Sequence, residues 1–340
     1  MWYTECGPMG DVVLSSRVRL ARNIKEIPFS SRMTEEQRAQ VVQSCKAAVV
    51  DGNSALKDSM KFFDLDNMET SDKQALAECH ILSPQMADGK QKHRGLLLSD
   101  DQKTSILINE EDHVRIQCMA AGFDLENCLK QAERVDDILE EELTFGFDER
   151  FGYLTCCPTN VGTGLRASVM VHLPALVMNN GMERIISSLS RLGMTVRGIY
   201  GEGSKALGNI FQISNQVTLG VTEEETVQKL TRLVQEVVDT ERELRKKLFD
   251  ANKIALQDRI MRSYGVLTNA VSLSSEETMR MLSDVRLGVN LEIISTLTAE
   301  QVNDMMYRIL PANIVKHYNL QSAADRDLKR AEIIKEIVKA

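Results

Sequence analysis

The 340-residue chain has no basic excess: 41 lysines and arginines stand against 49 aspartates and glutamates, a formal charge of −8. A general nucleic-acid coat carries the opposite balance, so the composition argues against that class. No apolar run approaches the ~20 residues needed to cross a bilayer, and the longest, Val169 to Met178, carries His172 and Pro174. The N-terminal stretch MWYTECGPMGD is acidic and lacks a signal-peptide pattern. Seven cysteines (Cys6, Cys45, Cys79, Cys118, Cys128, Cys156, Cys157) form an odd set without C-x-x-C spacing, which argues against a zinc ribbon and a disulfide framework. They read as reduced thiols of a cytoplasmic protein, six of them small buried hydrophobes.

Standard phosphate-binding motifs are also missing. There is no G-x-x-x-x-G-K-[ST], and Gly201 to Gly208 misses the G-x-G-x-x-G spacing. Protein-kinase H-R-D and D-F-G elements are absent as well. Any nucleotide site must be built another way.

Glycine and proline become scarce along the chain: 17 of 19 Gly and five of six Pro lie in the first 220 residues. These residues punctuate strands and turns, so residues 1–221 read as a loop-rich α/β domain and 222–340 as a helical one. In the first, Thr34 to Gln37 is a capping box opening a helix to about Val50, and another helix runs from Asp124 to Leu143. Gly95 to Ser99 and Thr104 to Asn109 read as a hairpin, with further strands at Tyr153 to Cys156, Ala167 to His172, Thr195 to Tyr200 and Phe211 to Thr218. The expected fold class is α/β (α+β), an antiparallel sheet flanked by helices. Helices are then expected from Glu223 to Asn252, Ser274 to Leu287, Thr298 to Ile309 and Ser322 to Lys339.

Four short segments carry chemistry-capable residues. In Val12 to Arg22, the two-residue spacing puts Arg17 and Arg19 on one face of an extended segment, opposite Val18 and Leu20. Two always-charged forks on one face suit a polyphosphate, or else a solvated strand face. Asn109 to Arg115 crowds Glu110, Glu111 and Asp112 beside His113 and Arg115; such carboxylates can accept a proton or hold a cation, or simply mark a solvated turn. In Leu154 to Ser168 a strand ends at Cys157, followed by Pro158 and two glycines before Arg166. A thiol at a strand end near arginines is thiolate-prone, and the alternative is a buried turn cysteine. Arg197 to Gly203 ends another strand in a glycine loop bearing Glu202.

In this order LSSRVRLARN, INEEDHVRIQ, LTCCPTNVGTGLRAS and RGIYGEG resemble the catalytic domain of the phosphagen (ATP:guanidino) kinases, from about Asp11 to Val221. YGEGSKALGNIFQISNQVTLG and the helical tail resemble the bacterial protein-arginine kinase branch of that family. The resemblance implies that Arg17, Arg19, Arg115, Arg166 and Arg197 cradle ATP phosphates, with His80 against the nucleotide. The nucleotide would run along Ser15, Ser16, Arg17, Val18 and Arg19, along Arg166, Ala167, Ser168, Val169 and Met170, and along Arg197, Gly198, Ile199, Tyr200, Gly201 and Glu202. Glu111 and Glu202 match the carboxylates that grip the guanidinium, with Glu111 expected to be the general base, and Cys157 matches the family's active-site thiol. Cys156 is expected to pack on the other face of the strand. Mg²⁺ is expected to be held mainly by nucleotide oxygens and water.

Metabolic phosphagen kinases carry a helical domain before the arginine segment, where only ten residues precede Asp11 here, and they lack the helical tail. This difference points to arginines on proteins as substrates. In the tail, Arg326, Asp327, Arg330 and Ala331 match an R-D-x-x-R-A signature, which implies an allosteric phosphoarginine pocket. The resemblance also implies a Clp chaperone-protease partner, an McsA-type activator, a CtsR-type repressor among the substrates, and a homo-oligomer.

Overall fold

The computed structural model describes residues 1–199 and 206–339. Its ten strands are β1 (Val13–Arg22), β2 (Met60–Asp64), β3 (Gly95–Ser99), β4 (Thr104–Ile108), β5 (Val114–Ala121), β6 (Phe147–Asp148), β7 (Gly152–Tyr153), β8 (Leu165–His172), β9 (Met194–Gly198) and β10 (Ile210–Asn215). Eight of them form one sheet in the order β2-β3-β4-β5-β1-β8-β10-β9, and β6 pairs with β7. Every neighbouring pair is antiparallel. The expected antiparallel sheet flanked by helices is therefore present, and the longest strand, β1, lies at its centre.

Helices α1 (Glu35–Lys46), α2 (Thr70–Glu78), α3 (Pro84–Asp88), α4 (Leu125–Glu140), α5 (Pro174–Met178) and α6 (Met182–Arg191) interleave with the strands. The rest of the chain is helical: α7 (Glu223–Ala251), α8 (Lys253–Asn269), α9 (Ser275–Asn290), α10 (Ala299–Arg308), α11 (Pro311–Tyr318) and α12 (Ala323–Lys339). Capping boxes at Thr34, Thr222 and Thr298 start α1, α7 and α10. The sequence reading missed α8 because Asn252 both ends α7 and N-caps α8, at φ −152° and ψ 62°. No glycine or proline marks that corner.

Strand alternation sorts the sheet into two faces. Val18, Leu20, Ile116, Val169 and Ile213 form one core with residues of α4 and α7, including Leu129, Val135, Leu230 and Val234. Helix α7 thus completes the core of the sheet, so the drop in glycine and proline at Val221 marks where long helices begin rather than where that core ends. A second core gathers Ile260, Leu282, Met305 and Ile334 from the later helices around Met170 and Ile210 of the sheet.

Buried charges join the two parts. Glu241 accepts from the Ala175 and Leu176 amides at 3.0 and 2.9 Å and from Arg245 Nε at 2.8 Å. Arg286 donates to the Gly10 and Asp11 carbonyls at 2.5 and 3.0 Å, just before β1. Such charges are tolerable because hydrogen-bond partners replace lost water.

Two expectations need correction. Residues 154–157 form no ladder: the Leu154 amide bonds to the Gly146 carbonyl and the Cys156 amide to Asp112, so these donors go elsewhere. Of the six cysteines expected to be buried, Cys45, Cys79, Cys118 and Cys128 are, while Cys6 is exposed and Cys156 partly so. Cys6 lies in an irregular segment before β1, and Cys156 belongs to no strand.

Three histidines are held neutral. Burial pushes His80 down to about 3, aided by the charge of Arg17. Burial likewise lowers His113, and lowers His172 further with help from Arg286 and Arg245. An unfolded histidine titrates near pH 6.5, so below about that pH the unfolded chain binds more protons and stability declines. Each histidine adds up to about 1.4 kcal/mol per pH unit to that slope. Urea midpoints should therefore drop between pH 7 and 5.5, and a flat profile would contradict the assignment.

Candidate active site

The polar face of the central sheet is built by register. Arg17 stands opposite Ser168 and Arg19 opposite Arg166 across β1 and β8, while Ala21 faces Arg115 across β1 and β5. Gln212 of β10 faces Arg197 of β9. The pleat then turns all five arginines to the face opposite the core packed by α4 and α7. A cavity of about 1020 Å³ is bordered by Arg17, Arg19, His80, Glu111, Arg115 and Arg197. An adjoining one of about 280 Å³ shares four of those arginines and Glu111, and adds Arg166.

Among the described residues, Glu110 and Glu111 are the carboxylates paired with this cluster. Arg17 donates from Nη2 to Gln212 Oε1 at 2.7 Å and from Nε to Ser168 Oγ at 3.3 Å, both neutral acceptors. Arg115 pairs with Glu110 and, at 3.2 Å, with Glu111. Arg19 Nε is shut off from solvent with no hydrogen-bond acceptor among the described residues. Burial, then the charges of Arg17, Arg115 and Arg166, hold the Arg19 pKa well below its ordinary value. Burial, then Arg197 and Arg115, lower Arg166, while Cys157 and Glu111 oppose that shift. Because arginine stays protonated in proteins, the tension is relieved by an incoming polyanion rather than by proton loss.

A buried polar node ties the loops around this face together. Asp112 Oδ1 accepts from the Cys156 amide at 2.7 Å and from Asn23 Nδ2 at 2.8 Å. Asn23 also donates to the Leu154 carbonyl at 3.0 Å and accepts from the His113 amide at 3.0 Å. His113 Nδ1 accepts from the Ile24 amide at 3.0 Å, which makes Nε2 the donor to the Pro28 carbonyl at 2.8 Å. The carboxylate cluster read from sequence is therefore divided. Glu110 and Glu111 face arginine, whereas Asp112 is buried and anchors the irregular segment that carries Cys157. Cys157 is half-buried, with Sγ 3.0 Å from Thr159 Oγ1, and it does not border either cavity.

Several residues expected along the nucleotide have side chains that lie away from the cavities. Ser16, Val18, Ala167 and Val169 point to the opposite face, and the last three are fully buried in the sheet core. A contiguous motif includes them, but the two-residue strand period turns every second side chain away. Ser15 is buried and Met170 packs with the tail helices. Ser168 acts through Arg17, and Gly198 and Ile199 border the larger cavity. Tyr200, Gly201 and Glu202 lie outside the described residues. Gln212 was missed, although a glutamine alternating with Phe211 and Ile213 is a readable signal.

The four tail residues do not share one cavity. Arg330 is buried, donating to the Ile309 and Leu273 carbonyls at 2.8 and 2.7 Å and to Asp327 at 2.5 Å. Ala331 is packed in the second core. Arg326 alone borders a separate cleft of about 600 Å³ between α2 and α11.

An antiparallel sheet presenting five arginines and an acidic loop to one pair of cavities defines a phosphotransferase of the ATP:guanido class. The family described as ATP:guanido phosphotransferase, C-terminal catalytic domain, matches residues 40–244, and the Protein-arginine kinase McsB C-terminal domain matches residues 253–340. Lombricine kinase superposes with a TM-score of 0.62 at 28% identity, over 70% of this chain and 68% of that one. The duplicated taurocyamine kinase of Schistosoma mansoni gives 0.62 at 27% identity, over 74% of this chain and 37% of that one. Protein-arginine kinases are similar over nearly the whole length: 44% identical in Caldanaerobacter subterraneus (95% of this chain, 96% of the relative) and 45% in Bacillus pumilus (98% and 92%). The chain belongs to the protein-arginine kinase family, and it is an ATP-dependent phosphotransferase.

Proposed function

We propose that this enzyme transfers the γ-phosphoryl group of ATP to arginine side chains of proteins. The observation that carries this reading is the juxtaposition of five arginines and Glu111 around joined cavities in a chain whose tail matches the protein-arginine kinase C-terminal domain. Arginines 17, 19, 115, 166 and 197 bind the phosphates and spread the charge that develops on the γ-phosphoryl group. Mg²⁺ would be held mainly by phosphate oxygens and water and would supply further charge neutralisation. A protonated guanidinium is a poor nucleophile, so Glu111 takes its proton as the nitrogen attacks. The N–P bond forms, the bond from Pγ to the bridging oxygen breaks, and ADP leaves with that electron pair. Glu202 is assigned to orient the guanidinium and Cys157 to tune it as a thiolate.

The same family likeness supports a cytoplasmic role in protein quality control. There phosphoarginine marks substrates for a Clp chaperone-protease, an McsA-type protein activates the kinase, and a CtsR-type repressor is one target. A homo-oligomer and a phosphoarginine effector site at Arg326, Asp327, Arg330 and Ala331 complete the proposal. An effector there must compete with the carbonyls and Asp327 that now hold Arg330.

Labelled ATP offered alongside a casein-like protein and free arginine tests the substrate. Acid-labile label on protein, localised to arginine by mass spectrometry, is expected; label on free arginine alone would instead define a small-guanidine kinase.

A further inference from the structure

Helix α2 separates two cavities. The arginine-lined cavity lies on one side and the cleft bordered by Arg326 on the other, with Ala77, Glu78 and Pro84 forming walls of both. Glu78, the last residue of α2, bonds across this partition. Its Oε1 accepts from the Ala312 amide at 2.8 Å, and its Oε2 accepts from the Asn313 amide and side chain, both at 2.9 Å. These amides belong to the first turn of α11, where a helix has no internal acceptors. Leu310, at the N-cap, supplies no side-chain acceptor. A carboxylate from the kinase half therefore caps a helix of the tail. Lys316 of α11 adds a second link, to Asp72 of α2 at 3.2 Å.

Just beyond Glu78 the backbone turns left-handed at His80, with φ 59°. A non-glycine residue stays there only when its surroundings hold it. The His80 carbonyl accepts from Gln117 Nε2 of β5 at 3.0 Å, and its ring stands edge-on to Tyr307 of α10 with centroids 6.4 Å apart. The side chain that borders the larger cavity is thus held between the sheet and the tail.

We propose that Glu78 is a positioning residue for the nucleotide. By capping α11 it fixes α2, and through α2 it fixes His80, so that ATP affinity depends on the seating of the tail helices. Thermodynamic linkage makes the converse true: nucleotide binding tightens α11 against α2. The inference rests on reading the arginine cavity as the ATP site.

Calorimetric titration of Mg-ATP into the full chain tests it. Glu78→Ala should raise the Kd for ATP about tenfold, within the usual range of coupling between sites. Its kcat at saturating ATP should stay within about threefold, because both Glu78 oxygens are engaged by Ala312 and Asn313 of α11. Glu78→Gln, which keeps one acceptor, should fall between. Hydrogen exchange supplies a readout that simple destabilisation would not reproduce: ATP should slow exchange at Ala312 and Asn313 in the wild type and not in Glu78→Ala. If Glu78→Ala does not fold, Asn313→Ala removes a single bond of the cap and should raise the Kd about two- to threefold. Wild-type affinity in these variants, or α11 exchange indifferent to ATP in the wild type, would overturn the proposal alone. A wild type that binds no ATP would overturn the reading of the cavity as well.

Discussion

Glu111→Gln is expected to lower kcat for arginine phosphorylation by about 10²–10⁴-fold, the usual contribution of a positioned general base. The amide keeps the size of the side chain and its place at the cavity wall but cannot take the guanidinium proton. Because Glu110 also pairs with Arg115, that arginine keeps a carboxylate partner in the variant. ATP should accordingly bind with nearly unchanged affinity, and the loss should fall on kcat. Steady-state kinetics with ATP and a protein substrate varied separately decides this. A variant with wild-type kcat would move the base to another residue.

Arg19→Met should separate stability from activity. In the free enzyme the charges of Arg17, Arg115 and Arg166 outweigh that of Glu110 at Arg19, and its Nε lacks an acceptor among the described residues. Replacing such a charge with an apolar side chain of similar length is often neutral or stabilising. The melting temperature of the nucleotide-free variant should therefore match or exceed that of the wild type. Its kcat/KM should fall by about 10²–10³-fold, the usual cost of losing one preorganised donor to developing charge. The thermal shift produced by ATP should shrink in parallel, since ligand stabilisation follows affinity. A less stable free enzyme with normal activity would mean that Arg19 serves the fold.

Local patterns made much of this architecture legible. Thr34, Thr222 and Thr298 announce helix starts because a capping box is a contact within four residues. The hairpin of β3 and β4 and the placement of Arg17 and Arg19 opposite Val18 follow from strand alternation. Where adjacent helices share Asn252, a lone N-cap asparagine marks the break with no glycine or proline beside it, and α8 went unread. The extended segment ending at Cys157 has strand-like residues, yet its amides are taken by Gly146 and Asp112. That outcome depends on partners far away in sequence.

The site divides along the same line. Residue types and two-residue spacing, together with the family's motifs, were enough to nominate five arginines, Glu111 and Cys157. The motif could not say which neighbours point away, and the pleat assigns Val18, Ala167 and Val169 to the core. Nor could it separate Asp112 from Glu111, since one is an anchor and the other a cavity wall only after β1, the acid loop and the cysteine segment have met at Asn23.

By itself, then, the sequence determined the family, the chemistry on offer and the periodic elements, because each is written in the identities of residues close together along the chain. Only the tertiary structure decided that Arg166 stands across from Arg19, that Arg330 is held by Ile309 and Leu273, and that Glu78 caps α11. Each of those is a pairing of distant segments. Strand register and helix packing set such pairings by burying apolar faces and satisfying backbone donors at the same time, and no stretch of local sequence encodes both.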